Sequence, residues 1–180
     1  SEEAYRLLQY EGYPSWLYPV KNGATTIWER LNSYTVKDGF GENNSMNSFN
    51  HYSFGAVASW MYNYSLGICR DEKSPGFKHF ILKPEVDPTR GITHAEGYYD
   101  SMYGRIRSRW QYTDSGIRYE FTVPANTTAS LYLPAPAVSF ISENGKPLKK
   151  ASGVRYVSAD KELHHLELAS GSYQFDIKQK

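Results

Sequence analysis

Two periods of hydrophobic and polar positions divide the chain. Near the start, Ala4, Leu7 and Leu8 fall on one helical face, with Ser1 as a cap and Glu2 and Glu3 at the positive end of the helix. Gly12 and Pro14 stop that pattern, so a helix is predicted over residues 1–11. The aromatic, proline-punctuated run from Tyr13 to Lys21 predicts an extended segment or loop. Phe54, Val57, Ala58, Met61, Ser65 and Ile68 recur at three- and four-residue spacing, predicting one helix from His51 to Cys69 capped by Ser48 or Asn50. Asp71–Gly76 is charged and then broken by Pro75 and Gly76, the mark of a linker.

Beyond that linker the period becomes two. Residues 77–82 open a strand pattern, and Arg105, Arg107 and Arg109 alternate with Ile106, Ser108 and Trp110, one face wet and one packed. Thr113–Gly116 predicts a hairpin turn, with Ile117, Tyr119, Phe121 and Val123 as the apolar face of the return strand. Ala129, Leu131 and Leu133 follow a turn at Pro124–Asn126. Asn144-Gly145 is a strong two-residue hairpin signal, and Leu166, Leu168, Tyr173, Phe175 and Ile177 complete the series. Strands recurring about every ten residues argue for an antiparallel β-sandwich. The expected organisation is α+β and multidomain: helices over residues 1–76 and a β-sandwich over residues 77–180.

Composition narrows the partners. Twenty basic and 19 acidic residues give a net charge of +1 without a block of like charge, which recommends neither nucleic acid nor an anionic membrane. No apolar run is long enough to span a bilayer. The single cysteine, Cys69, excludes an internal disulfide and reads as a buried thiol at a helix end. No phosphate-binding glycine loop or metal-ligand cluster stands out, and His164 and His165 on one strand point to opposite faces. Neither a metal nor a cofactor is expected. Asn43-Asn44-Ser45, Asn63-Tyr64-Ser65 and Asn126-Thr127-Thr128 fit the glycosylation triplet, which matters only in a eukaryotic secretory pathway. Sixteen Tyr, 8 Phe and 4 Trp are many for this length; aromatic faces suit sandwich cores and also the apolar faces of sugars.

The candidate chemistry lies at Trp28-Glu29-Arg30. An indole on one side of Glu29 removes water and raises a carboxylate's pKa, whereas Arg30 opposes that, so the pattern suits a tuned general base. On residue chemistry alone, a surface ion pair beside a packed tryptophan is the plainer reading. The pattern also suits a capping box, in which Thr25 or Thr26 caps a helix and Glu29 is its third residue. Residues 32–50 form a long polar connection rich in Gly and Asn, the kind that is functional or mobile. His51, expected in a first helical turn where the dipole disfavours protonation, is a candidate for neutral contacts with hydroxyls.

Five stretches, TTIWERLNSY, NSFNHYSFGAVASWMY, SPGFKHFILKP, YYDSMYGRIRSRW and FTVPANTTASLYLP, follow one another along nearly the whole chain. In this order they resemble the C-terminal part of bacterial α-L-rhamnosidases, glycoside hydrolases with an α/α barrel of six helical hairpins followed by a β-sandwich. The resemblance implies a fragment: the terminal helices of an (α/α)6 barrel plus the sandwich. It implies removal of terminal α-linked L-rhamnose with inversion, and a rhamnose-containing glycan or glycoside as partner. Glu29 matches the family's general base, and the general acid falls in an earlier part of the parent polypeptide. His51 matches a residue that contacts rhamnose, and Trp28 and Trp16 are candidates for pocket walls. After Trp28-Glu29-Arg30 the sequence departs from the family at Leu31-Asn32. A non-catalytic sandwich that binds glycan or braces the barrel is the alternative. Apolar stripes on helices cut from their barrel are expected to be buried by self-association or against the sandwich.

Overall fold

The structure, a computed structural model, describes residues 1–41 and 45–178. Of the three glycosylation triplets, the one beginning at Asn43 therefore lies outside the described residues. The chain divides into two compact units, one of residues 1–60 with 87–92, the other of residues 61–86 with 93–180.

In the first unit, helix α1 (Glu2–Gln9) forms where the apolar stripe places it. Its Tyr5 is fully buried and meets the Trp60 ring edge-on at 5.0 Å. Its last residue, Gln9, donates to the buried Asp87 carboxylate at 2.9 Å, which brings the loop 87–92 into this unit. The run expected as a loop at 13–21 contains a five-residue helix, α2 (Leu17–Lys21). Pro19 sits in its first turn, where a missing N–H costs nothing, and the Ser15 hydroxyl accepts the Tyr18 N–H at 3.0 Å.

The single helix expected from His51 to Cys69 does not form. Tyr52–Ala56 is a 3-10 turn, α3 (Val57–Trp60) supplies one α-helical turn, and Met61–Ser65 widens to π-helix. The Leu66 N–H reaches back to the Met61 carbonyl at 2.8 Å, the five-residue reach of a π-turn, and Gly67 at φ +66° then reverses the chain. A Cβ at Gly67 would lie 2.1 Å from the Lys83 carbonyl carbon, so only glycine permits that reversal. The apolar residues beyond it, Ile68 and Cys69, are in strand β1 (Ile68–Arg70). Cys69 is thus a strand residue, its thiol donating to Asn63 O at 3.0 Å and pushed above the usual thiol range by burial. Ala58, expected on the core stripe, is exposed.

The second unit is an antiparallel β-sandwich with one parallel pairing. Asp71–Gly76 belongs to the connection between β1 and β2 (His79–Leu82), where Pro75–Phe77 makes a 3-10 turn. The long hairpins β3 (His94–Ser101), β4 (Gly104–Thr113) and β5 (Gly116–Val123) follow, then β6 (Thr128–Pro134). Short strands β7 (Ile141–Glu143) and β8 (Lys146–Pro147) precede β9 (Val154–Asp160), β10 (Leu163–Leu168) and β11 (Gly171–Lys178). One sheet runs β1-β2-β6-β10-β9 and the other β3-β4-β5-β11-β7-β8. All neighbours are antiparallel except β2 and β6.

The alternation of the sequence is realised in this unit. Ile106, Ser108 and Trp110 are buried while Arg105 and Arg107 face water. Phe80, Leu82, Tyr119, Phe121, Leu131, Leu133, Leu166, Leu168 and Phe175 complete the core, each such side chain contributing about 1.5–3 kcal/mol. The hairpin at Asn144-Gly145 has φ +47° and +72°, the paired positive angles of a type I′ turn. On the wet face, Arg105 pairs with Asp100 and Arg118 with Asp176, so the arginine row reads as cross-strand ion pairing.

Candidate active site

Glu29 lies in an irregular segment, not a helix: residues 25–33 carry no helical assignment, so the capping box does not exist. A backbone clasp holds the residue instead. The Glu29 N–H donates to Ser48 O at 2.8 Å, and the Ser48 N–H donates to Glu29 Oε2 at 2.7 Å. Two residues earlier, Ile27 O accepts the His51 N–H at 2.8 Å, and the Thr26 hydroxyl donates to Phe49 O. Residues 26–29 and 48–51 thus run against each other in a short irregular ladder that brings the Glu29 and His51 backbones together.

Aromatic packing fixes the ladder. Trp28 is buried, with its ring 5.1 Å from Phe49; Phe49 lies 5.7 Å from Phe40, which is 5.2 Å from Tyr34, each pair edge-to-face. Such pairs add about 0.5–1.5 kcal/mol each beyond burial. The polar connection 32–50 is therefore anchored through its own aromatic residues, and Ser33, fully buried, donates through its hydroxyl to Arg30 O at 2.8 Å.

His51 precedes the 3-10 turn with extended backbone, φ −129°, and neither Ser48 nor Asn50 caps that turn. The His51 Nε2 is 2.9 Å from the Ser53 hydroxyl and its ring stacks with Tyr52 at 6.5 Å. A five-residue 3-10 turn gives little dipole, so the helical argument for a neutral imidazole does not apply. Trp16 is half-buried at the start of α2, and its indole N–H donates to Phe54 O at 2.8 Å. All four candidates, Glu29, His51, Trp28 and Trp16, belong to the first unit, and the ladder joins three of them. The residue type missed at the sequence level is Ser48: it acts through a backbone N–H, which every non-proline residue carries, so no residue pattern marks it.

Cavities of about 760 and 550 Å³ lie in the sandwich unit, and neither is lined by Glu29 or His51. Among the described residues, no group of three His, Cys, Asp or Glu side chains could hold a metal ion, and no helix is long and apolar enough to cross a membrane.

The partly helical unit and the antiparallel sandwich that follows it correspond to two known domains in succession. Residues 1–65 match the bacterial α-L-rhamnosidase six-hairpin glycosidase domain, and residues 67–147 match the bacterial α-L-rhamnosidase C-terminal domain. The class is that of the six-hairpin glycosidases. An α-L-rhamnosidase of Alteromonas sp. (strain LOR) is 37% identical over 175 residues, 96% of this chain and 17% of that protein. The crystal structure of Streptomyces avermitilis α-L-rhamnosidase complexed with L-rhamnose superposes with a TM-score of 0.84 at 33% identity, covering 98% of this chain and 16% of that one. The α-L-rhamnosidase structure from Dictyoglumus thermophilum gives 0.80 at 26% identity, with 99% and 19% covered. The chain belongs to the bacterial α-L-rhamnosidase family, and it spans about one-sixth of the length of the relatives it matches.

Proposed function

We propose that this chain is the part of an inverting α-L-rhamnosidase that carries the general base, and that Glu29 is that base. The observation that carries the reading is the clasp: Glu29 is held by Ser48 in both directions, so its carboxylate is presented in one orientation. Inversion needs two carboxyl groups about 6.5–9.5 Å apart, with a water between the base and the anomeric carbon. The base takes the water's proton, and a carboxylic acid elsewhere in the parent polypeptide protonates the departing oxygen. His51, tied to Ile27 two residues from the base, contacts the rhamnose hydroxyls, and Trp28 and Trp16 are walls of the pocket that give the sugar's methyl group apolar cover. The substrate is a glycan or glycoside ending in α-L-rhamnose, as the names of the relatives suggest.

The test uses the full-length protein. Glu29→Gln keeps the shape and loses the acceptor, so kcat on an aryl α-L-rhamnoside falls by roughly a hundred- to ten-thousandfold with KM little changed. Proton NMR of the first product then shows the inverted anomer. Wild-type kcat in Glu29→Gln refutes the reading.

A second reading concerns the sandwich. Tyr98, Tyr99, Tyr103 and Met102 stand exposed around the β3–β4 turn, an apolar and aromatic cluster suited to glycan or to the rest of the parent polypeptide. Calorimetric titration with rhamnose-containing glycans distinguishes the two.

A further inference from the structure

We infer that Ser48 is a positioning residue for Glu29: its backbone N–H fixes the carboxylate through Oε2 and leaves Oε1 as the oxygen that accepts the proton. This rests on the general-base reading of Glu29. The geometry is asymmetric. The Ser48 N–H lies 2.7 Å from Oε2, and among the described residues no hydrogen bond reaches Oε1. A carboxylate that accepts one N–H keeps a second oxygen for a water molecule, whereas an unheld glutamate rotates about three side-chain bonds.

The clasp is supported on both sides. Glu29 N–H to Ser48 O fixes the main chain from which the side chain departs. Phe49, next to Ser48, is wedged between Trp28 and Phe40, so the ladder cannot slide without breaking two edge-to-face contacts. Trp28 and Phe49, neighbours of the base and of the amide, thus brace the clasp they flank.

In the chemical step the water oxygen bonds to the anomeric carbon as the glycosidic carbon–oxygen bond breaks. The bonding pair leaves with the departing oxygen, which takes a proton from the carboxylic acid elsewhere in the parent protein. The water's proton passes to Oε1. The Ser48 N–H acts on this step by position: it holds Oε1 in line with the water that the base deprotonates.

The test is an amide-to-ester replacement at residue 48 in the full-length enzyme, introduced by suppression with the α-hydroxy acid, which deletes the N–H and keeps the chain's shape. Loss of alignment lowers kcat at the optimum by about ten- to a hundredfold with KM nearly constant. An ester enzyme with unchanged kcat, in a protein that Glu29→Gln inactivates, overturns the positioning role alone. Unimpaired turnover in Glu29→Gln overturns the general-base reading and this role with it.

Discussion

Trp110→Phe tests how the sandwich is fastened at its start. Trp110 is fully buried on β4, and its indole N–H donates to Ser65 O at 2.9 Å; two residues earlier, the buried Ser108 hydroxyl donates to Leu66 O at 2.6 Å. One face of β4 therefore holds two consecutive carbonyls of the chain that enters β1. Phenylalanine keeps an aromatic ring but removes the donor. A buried carbonyl losing its partner costs about 1–3 kcal/mol, and the missing ring atoms leave a cavity worth about another 1 kcal/mol. The expected total is about 2–4 kcal/mol, a large part of a typical domain's stability of about 5–15 kcal/mol. Urea unfolding followed by circular dichroism reads it as a lowered midpoint at constant slope. Ser108→Ala, with little cavity, costs about 1–2 kcal/mol by the same argument. Because the two bonds hold adjacent residues, the double variant departs from additivity. A Trp110→Phe loss below about 0.5 kcal/mol, within the range of ordinary surface substitutions, refutes the fastening.

Two further outcomes follow from the described geometry. On the proposed reading, in which Glu29 works with an acid elsewhere in the parent polypeptide, the isolated 180 residues show no turnover of aryl α-L-rhamnosides above a buffer blank; activity abolished by Glu29→Gln contradicts this. Burial raises the Asp87 carboxyl, but N–H donors from Ile92 and Thr89, the Thr89 hydroxyl and Gln9 outweigh it and hold it below the usual carboxylate range. A depressed folded-state pKa contributes stability above the unfolded value, near 3.9, and that stability is lost as pH falls through the folded value. Hydrogen exchange of the α1 amides therefore accelerates in that acid range in the native protein, and the step is absent in Asp87→Asn.

Legibility followed the physics of each element. The β4–β5 hairpin was readable because Arg105 to Trp110 alternates without exception and Thr113–Gly116 supplies a turn, so local pattern and tertiary burial agree. The stretch after His51 misled because Phe54, Val57 and Met61 keep a helical period, while the break at Leu66-Gly67 depends on a close approach to Lys83 that no local pattern carries. Thr26 to Glu29 has the spacing of a capping box, yet the Glu29 amide and one carboxylate oxygen both bond Ser48, nineteen residues away. Local chemistry marked Glu29 and His51 as candidates and the family resemblance gave them roles; their shared ladder came only from the fold.

The placement of β11 has a consequence for synthesis. It lies between β5 and β7, and strand order in the other sheet sets β6 and β10 in its middle, with β6 paired in parallel to β2 across some fifty residues of intervening chain. As the polypeptide leaves the ribosome, β3, β4 and β5 zip locally, whereas β2 waits for β6 and β5 waits for β11 with an open edge. A premature stop just before Gly171 thus removes an interior strand, not a tail. Its product is a split sheet with two unpaired edges, a substrate for aggregation and for quality-control proteases.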